Sequence, residues 1–156
     1  MSMNPKHQRF VTDLERAGIE REIRLLDEHT HTAVDAAKYL GCEVAAIANS
    51  LVFDCEGEAV LIMSSGAWRV DTVLVSAALG GQKLKRATPE FVKQATGQVI
   101  GGVAPAGHPA PLRTLIDSSL RDFDELWVAA GTADSLMPIS YPELVRLTGG
   151  TELVVR

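Results

Sequence analysis

Cysteine is scarce in this chain of 156 residues: two occur, Cys42 and Cys55. That density excludes a small disulfide-stapled scaffold, and both read as unpaired thiols. No run approaches the roughly 18 uninterrupted apolar residues that a membrane helix needs. The N-terminal Met1-Ser2-Met3-Asn4-Pro5-Lys6 carries no apolar signal segment behind its charge. A cytoplasmic location with no membrane partner is therefore expected. Basic residues are outnumbered, 15 Lys and Arg against 20 Asp and Glu, for a net charge of −5. Such a balance argues against wrapping a long nucleic-acid duplex, where phosphate neutralisation dominates affinity, and leaves room for local contact with one RNA end. Three catalytic signatures are also missing: a glycine loop closed by Gly-Lys-Ser/Thr, a Gly-x-Gly-x-x-Gly dinucleotide turn, and a serine in a Gly-x-Ser-x-Gly elbow.

What the chain has is enough apolar content, 46%, to close one sizeable core, so one domain over residues 1–156 is expected. Residues 4–17 place Phe10, Val11, Leu14 and Ala17 at helical spacing before Gly18. Residues 22–26 alternate like a half-buried strand, and Thr32 caps a second helix that stops near Gly41. Two β-favouring runs, 45–53 and 59–63, flank the turn Asp54-Cys55-Glu56-Gly57-Glu58 and predict a hairpin. Helices follow from Asp71 to Gly80 and from Thr88-Pro89-Glu90 to Gly97, separated by a short strand at 82–86. Strands are expected at 113–117, 125–130, 136–139 and 151–155, with a helix capped by Ser140 before the last. Helices and strands interleave, yet the hairpin demands antiparallel pairs. The expected fold is mixed α/β: a curved sheet or open barrel flanked by helices.

The segment Gly101-Gly102-Val103-Ala104-Pro105-Ala106-Gly107-His108 holds the most chemical information. Closely spaced glycines let backbone N–H groups approach a ligand carbonyl or oxyanion, although glycine and proline also build purely structural turns. His29 and His31 would share one side of an extended chain and could take a metal with Asp27 or His108; with no matched Cys or carboxylate spacing, solvated or hydrogen-bonded histidines are the favoured reading and no metal is expected. Ser64-Ser65 and Ser118-Ser119 are ordinary turn serines by context. Lys83, Lys85 and Arg86 form the densest basic cluster, either a solvated edge or a contact for RNA phosphate. Asp117 and the pair Gly131-Thr132 each end an apolar strand and could open onto one pocket, while Asp117 could equally cap a helical turn at Ser118.

Several segments stand together in order: Ala36-Ala37-Lys38-Tyr39-Leu40-Gly41, Ile47-Ala48-Asn49-Ser50-Leu51-Val52-Phe53, Arg69-Val70-Asp71, Ala87-Thr88-Pro89-Glu90, Thr96-Gly97, the glycine loop at 101–107, Ile116-Asp117 and Ala129-Ala130-Gly131-Thr132. Over about residues 30 to 150 this series resembles the YbaK/ProX family of aminoacyl-tRNA deacylases. The resemblance implies the fold of the editing insertion of bacterial prolyl-tRNA synthetases, trans hydrolysis of mischarged tRNA, and no cofactor. It implies an aminoacyl pocket lined by Gly101, Gly102 and Pro105 and faced by the strand of Asn49 and Ser50. Asn49, Gly101 and Gly102 are the candidate catalytic residues. Ser50, His29, Val103, Pro105, Gly107, His108, Asp117, Gly131 and Thr132 are the candidate substrate-binding ones. The implied partners are the aminoacyl-tRNA acceptor end and an aminoacyl-tRNA synthetase, with the chain as monomer or homodimer.

One position departs from the family pattern: lysine usually precedes the Ser/Thr-Leu of that strand, and here it is Asn49. An ammonium makes a hydrogen bond roughly twice as strong as a neutral donor, whereas an amide donates without charge. Two functions follow. In the first, the N–H groups of residues 101–103 and the Asn49 amide hold the ester carbonyl of a small aminoacyl group while water attacks, and Gly102→Val fills the pocket. In the second, the pocket binds an aminoacyl group, a tRNA end or a protein partner without chemistry.

Overall fold

The computed structural model describes residues 5–26 and 32–156. Its helices are α1 (Pro5–Arg16), α2 (Ala33–Leu40), α3 (Thr72–Ala78), α4 (Pro89–Thr96) and α5 (Tyr141–Thr148). Four of the five are started by a local side chain. Thr32, Asp71, Thr88 and Ser140 each accept from backbone N–H groups two or three residues ahead, and Glu143 completes a capping box by accepting from the Ser140 N–H at 2.9 Å. Among the described residues no helix is long and apolar enough to cross a membrane.

The strands are β1 (Arg24–Leu25), β2 (Ile47–Cys55), β3 (Glu58–Ser65), β4 (Leu84–Arg86), β5 (Arg113–Asp117), β6 (Leu126–Ala129), β7 (Ser135–Ile139) and β8 (Thr151–Leu153). They form one mixed sheet in the order β1-β7-β6-β2-β3-β5-β8, and β4 also pairs with β2. The β2–β3 hairpin turns through Glu56 and Gly57, both at positive φ, and Asp54 accepts the Gly57 N–H at 2.8 Å. The mixed α/β fold expected above is the fold observed. Differences lie at the ends: the strand expected at 22–26 pairs only at two exposed residues, and the last strand stops at Leu153 because the Val155 carbonyl turns instead to accept the Asp71 N–H at 2.6 Å.

Packing divides by sheet face. The larger cluster sets Phe10 and Leu14 of α1 and Val103, Ala104 and Ala106 of the glycine loop against Ala48, Leu61 and Met63 of β2 and β3. A second cluster sets Val75 of α3 and Leu79 just beyond it against Cys55, Val60 and Ile62, and a third packs Ala36 and Ala37 of α2 on Ile47 and Trp127. Strand alternation explains the division: even positions of β2 face the glycine loop, and odd positions face α2 and α3.

Candidate functional site

Strand β2 has a continuous partner on one edge only. On the other, Ile47 and Ala48 pair with β6 and residues 53–55 pair with β4, which leaves residues 49–52 facing a gap. The Ile47 carbonyl accepts the Gly66 N–H at 2.7 Å on the β3 side. Since N–H and C=O of one residue point to one edge, and neighbours to the other, Ser50 and Val52 turn their backbone groups into the gap. A cavity of about 1090 Å³ occupies it, walled by residues 47–53, the turn at 66–70, the start of α2, Arg86 and Ala87, and Gly101 and Val103 of the glycine loop.

The glycine loop is held chiefly from within. The buried Gln98 side chain accepts the Ala104 N–H at 2.9 Å and donates to the Ala106 carbonyl at 3.4 Å. Gly102 donates to the Val99 carbonyl at 2.9 Å, and Gly107 donates to Asp13 of α1 at 2.8 Å. Gly101 needs its φ of 88°, which L side chains rarely adopt. Gly102 is required by proximity: a Cβ there would stand 2.6 Å from the Thr132 carbonyl carbon and 2.7 Å from the Ala133 nitrogen. Among the described residues, the N–H groups of Gly101 and Val103 have no partner and both residues line the cavity.

Asn49 and the loop reach this cavity from opposite faces of the sheet, and meet only because the edge between them is open. Asn49 is half-buried, and its amide has no hydrogen-bond partner among the described residues. Ser50 is on the loop face, where its hydroxyl is 3.3 Å from Met63 Sδ. No histidine or carboxylate stands on the described part of the wall. The described wall is thus rich in uncommitted donors and supplies no general base. That composition can hold a carbonyl oxygen as it gains negative charge.

Several expected site residues prove to be supports. Gly102 does not line the cavity, so Gly102→Val would displace the loop from residues 132–133 rather than fill the pocket. Pro105 and Gly107 are buried away from the cavity, with Gly107 packed so closely that a Cβ would stand 2.8 Å from Phe10 N. His108 donates Nε2–H to the Ala104 carbonyl at 2.9 Å, and burial pushes its pKa down, leaving a neutral ring that fastens the loop. Gly131 takes a φ of 109°, and the Thr132 hydroxyl donates to Asp134 at 2.6 Å with His7 Nε2 3.1 Å away; neither lines the cavity, though Ala129 and Ala133 do. His29 lies outside the described residues, as do His31 and Asp27, and no group of three potential metal ligands occurs among the described ones.

Asp117 is buried and receives four donors: the Ser119 N–H and hydroxyl on Oδ1, and the Ser65 N–H and Trp68 Nε1–H on Oδ2 at 3.2 and 3.1 Å. It caps the 3₁₀ turn Ser118–Asp122 and acts on the cavity through Trp68, a wall residue. Arg156 stacks 3.8 Å above the Trp68 ring. Neither Trp68 nor Gln98 was legible as a site residue, because their partners lie at Asp117 and in the loop's backbone. The serine pairs are structural: Ser65 donates to the Ala45 carbonyl and Ser119 to Asp117.

The chain is similar in sequence and in fold to known proteins. A family model for the aminoacyl-tRNA editing domain matches residues 27–147. The Bacillus subtilis (strain 168) protein YwhH is 31% identical over 126 residues, 80% of each chain. The proline–tRNA ligase of Nitratidesulfovibrio vulgaris (strain Hildenborough) is 31% identical over 106 residues, which are 67% of this chain and 18% of the ligase. The solved structure of a candidate trans-editing enzyme for prolyl tRNA synthetase superposes with a TM-score of 0.93 at 37% identity, covering 99% of each chain.

Proposed function

The chain belongs to the aminoacyl-tRNA editing domain family, and from that premise we propose that it is a free-standing hydrolase that removes a small amino acid from a mischarged tRNA in the cytoplasm. Its partners in this role are the acceptor end of the tRNA and, upstream, the synthetase that made the error. The observation that carries the reading is the gap in β2, a cavity whose uncommitted donors converge and whose described wall holds no histidine or carboxylate.

The ester carbonyl sits among the Gly101 and Val103 N–H groups and the Asn49 amide, which strengthen their hold as the oxygen becomes an oxyanion. Water is the nucleophile. With no histidine or carboxylate on the described wall, the terminal ribose hydroxyl of the substrate orients that water. The loop side of the cavity, lined by Gly101 and Val103, sets the size of the amino acid.

A second reading, a binding module without chemistry, is favoured by Asn49, whose neutral amide stabilises an oxyanion less than an ammonium would. Radiolabelled alanyl-, cysteinyl- and seryl-tRNA for proline, incubated with the native chain and with Asn49→Lys, separate the two. Label loss above the no-enzyme control with the native chain is the expected result and names the substrate. Loss only after Asn49→Lys would establish the binding module, and no loss with either chain would end the editing proposal.

A further inference from the structure

Charge on the cavity wall runs against the charge of the molecule. The protein carries 20 acidic and 15 basic residues, yet the charged side chains on the described part of the wall are Arg69 and Arg86, with no carboxylate among them. Among the described residues neither arginine is held in an ion pair, whereas neighbouring Lys85 pairs with Asp54 at 3.7 Å. Both are exposed at the rim and bracket the gap in β2. Arg86 pairs in register with Phe53 at one end, while the turn bearing Arg69 leaves β3 beside Ile47 at the other. Those ends are six residue steps apart along β2, roughly 20 Å at 3.3 Å per residue.

The turn carrying Arg69 is fixed on both sides. Gly66 donates to Ile47, Trp68 is tied to Asp117 and covered by Arg156, and Asp71 donates to the Val155 carbonyl. Arg86 is fixed by its place in β4. A guanidinium on a rigid base loses less freedom on binding an anion, and its planar fork suits phosphate oxygens.

We propose that Arg69 and Arg86 form a two-point clamp for the phosphodiester groups of a single-stranded RNA 3′ end, seating its terminal nucleotide over the β2 gap. The inference rests on the editing reading, for it places the ester of a charged tRNA at Asn49 and Gly101 and the preceding phosphates on the rim. It assigns to Arg86 the RNA contact left open for the 83–86 cluster, and leaves Lys85 to Asp54.

The test is binding, without turnover. An uncharged RNA hairpin with a single-stranded CCA 3′ end is titrated into the native chain and into Arg69→Gln/Arg86→Gln at several salt concentrations. Each phosphate contact on a single strand contributes about 0.7 to the salt slope, so the double substitution lowers the slope by about 1.4 and weakens binding about 25-fold at 0.1 M salt. Arg69→Lys/Arg86→Lys retains most of the affinity and verifies folding, and Arg16→Gln, an exposed base on α1, changes nothing. An unchanged slope, an equal loss with Arg16→Gln, or no binding by the native chain overturns the clamp. So does displacement of the RNA by equimolar AMP or inorganic phosphate, which would make this a site for a free anion. Because hydrolysis is not read, an inactive chain that binds RNA leaves the clamp standing, and an active chain with an unaltered slope removes the clamp alone.

Discussion

The two walls of the cavity are made in opposite ways. The glycine loop is committed at its supports: Gln98 spans it, Gly102 donates to Val99, Gly107 donates to Asp13 of α1 and His108 closes it, which leaves the Gly101 and Val103 N–H groups free on the cavity side. Along β2 at residues 49–52 one edge is left without a strand and the Asn49 amide is uncommitted. The first wall is a pinned frame that presents two backbone donors, and the second is an open edge that presents a side-chain donor. Support and chemistry thus fall to different groups around one cavity, and substitutions of the loop's supports and of Asn49 should fail differently.

The sharpest break in that comparison is Gly102→Val on the committed wall. Its Cβ would overlap the backbone at 132–133, so the loop must move, and a loss of about 3 kcal/mol in urea unfolding is expected. Stability within error of the native chain would show that the loop is not pinned there. Gln98→Leu comes next. It strands the buried Ala104 N–H and should cost roughly 1–3 kcal/mol, with a lowered urea midpoint.

The smallest effect is titrational. Burial holds the folded pKa of His108 below its ordinary 6.5 despite the Ala104 carbonyl and Asp13, so the unfolded chain takes up a proton first as pH falls. The stability contributed by the neutral ring is complete above pH 6.5 and is lost as pH falls through the folded value. Glu143 adds a similar loss at lower pH. Burial raises its pKa, but hydrogen bonds from Ser140 and Arg21 outweigh that and hold it below its usual value. Melting temperatures from pH 8 to pH 5 should decline for the native chain and flatten for His108→Gln above the range where Glu143 titrates.

What could be read in advance was local. The caps at Thr32, Asp71, Thr88 and Ser140 and the turn at Asp54 and Gly57 act within three residues, so the helices and the hairpin were legible with the mixed α/β class. Asp117 as a cap was legible for the same reason. The open edge of β2 was not, since it exists only because Trp127 and Arg86, 80 and 33 positions beyond their partners Ile47 and Phe53, pair at either end and stop short of the middle. Adjacent residues Asn49 and Ser50 both line the cavity, but alternation sends their side chains to opposite faces of the sheet, and that both still reach it depends on the open edge. Glycine pattern alone could not separate Gly101, which lines the cavity, from Gly102, which packs against residues 132–133.

The most direct test of this division is a single-turnover rate of label loss from the best mischarged tRNA, with enzyme in excess, for the native chain and Asn49→Leu side by side. The account predicts catalysis by the native chain and about a hundred-fold slower reaction in the variant, the loss expected for one oxyanion donor, with the urea midpoint unmoved. Equal rates in the two chains would contradict it, because the open wall would then contribute nothing to the chemistry.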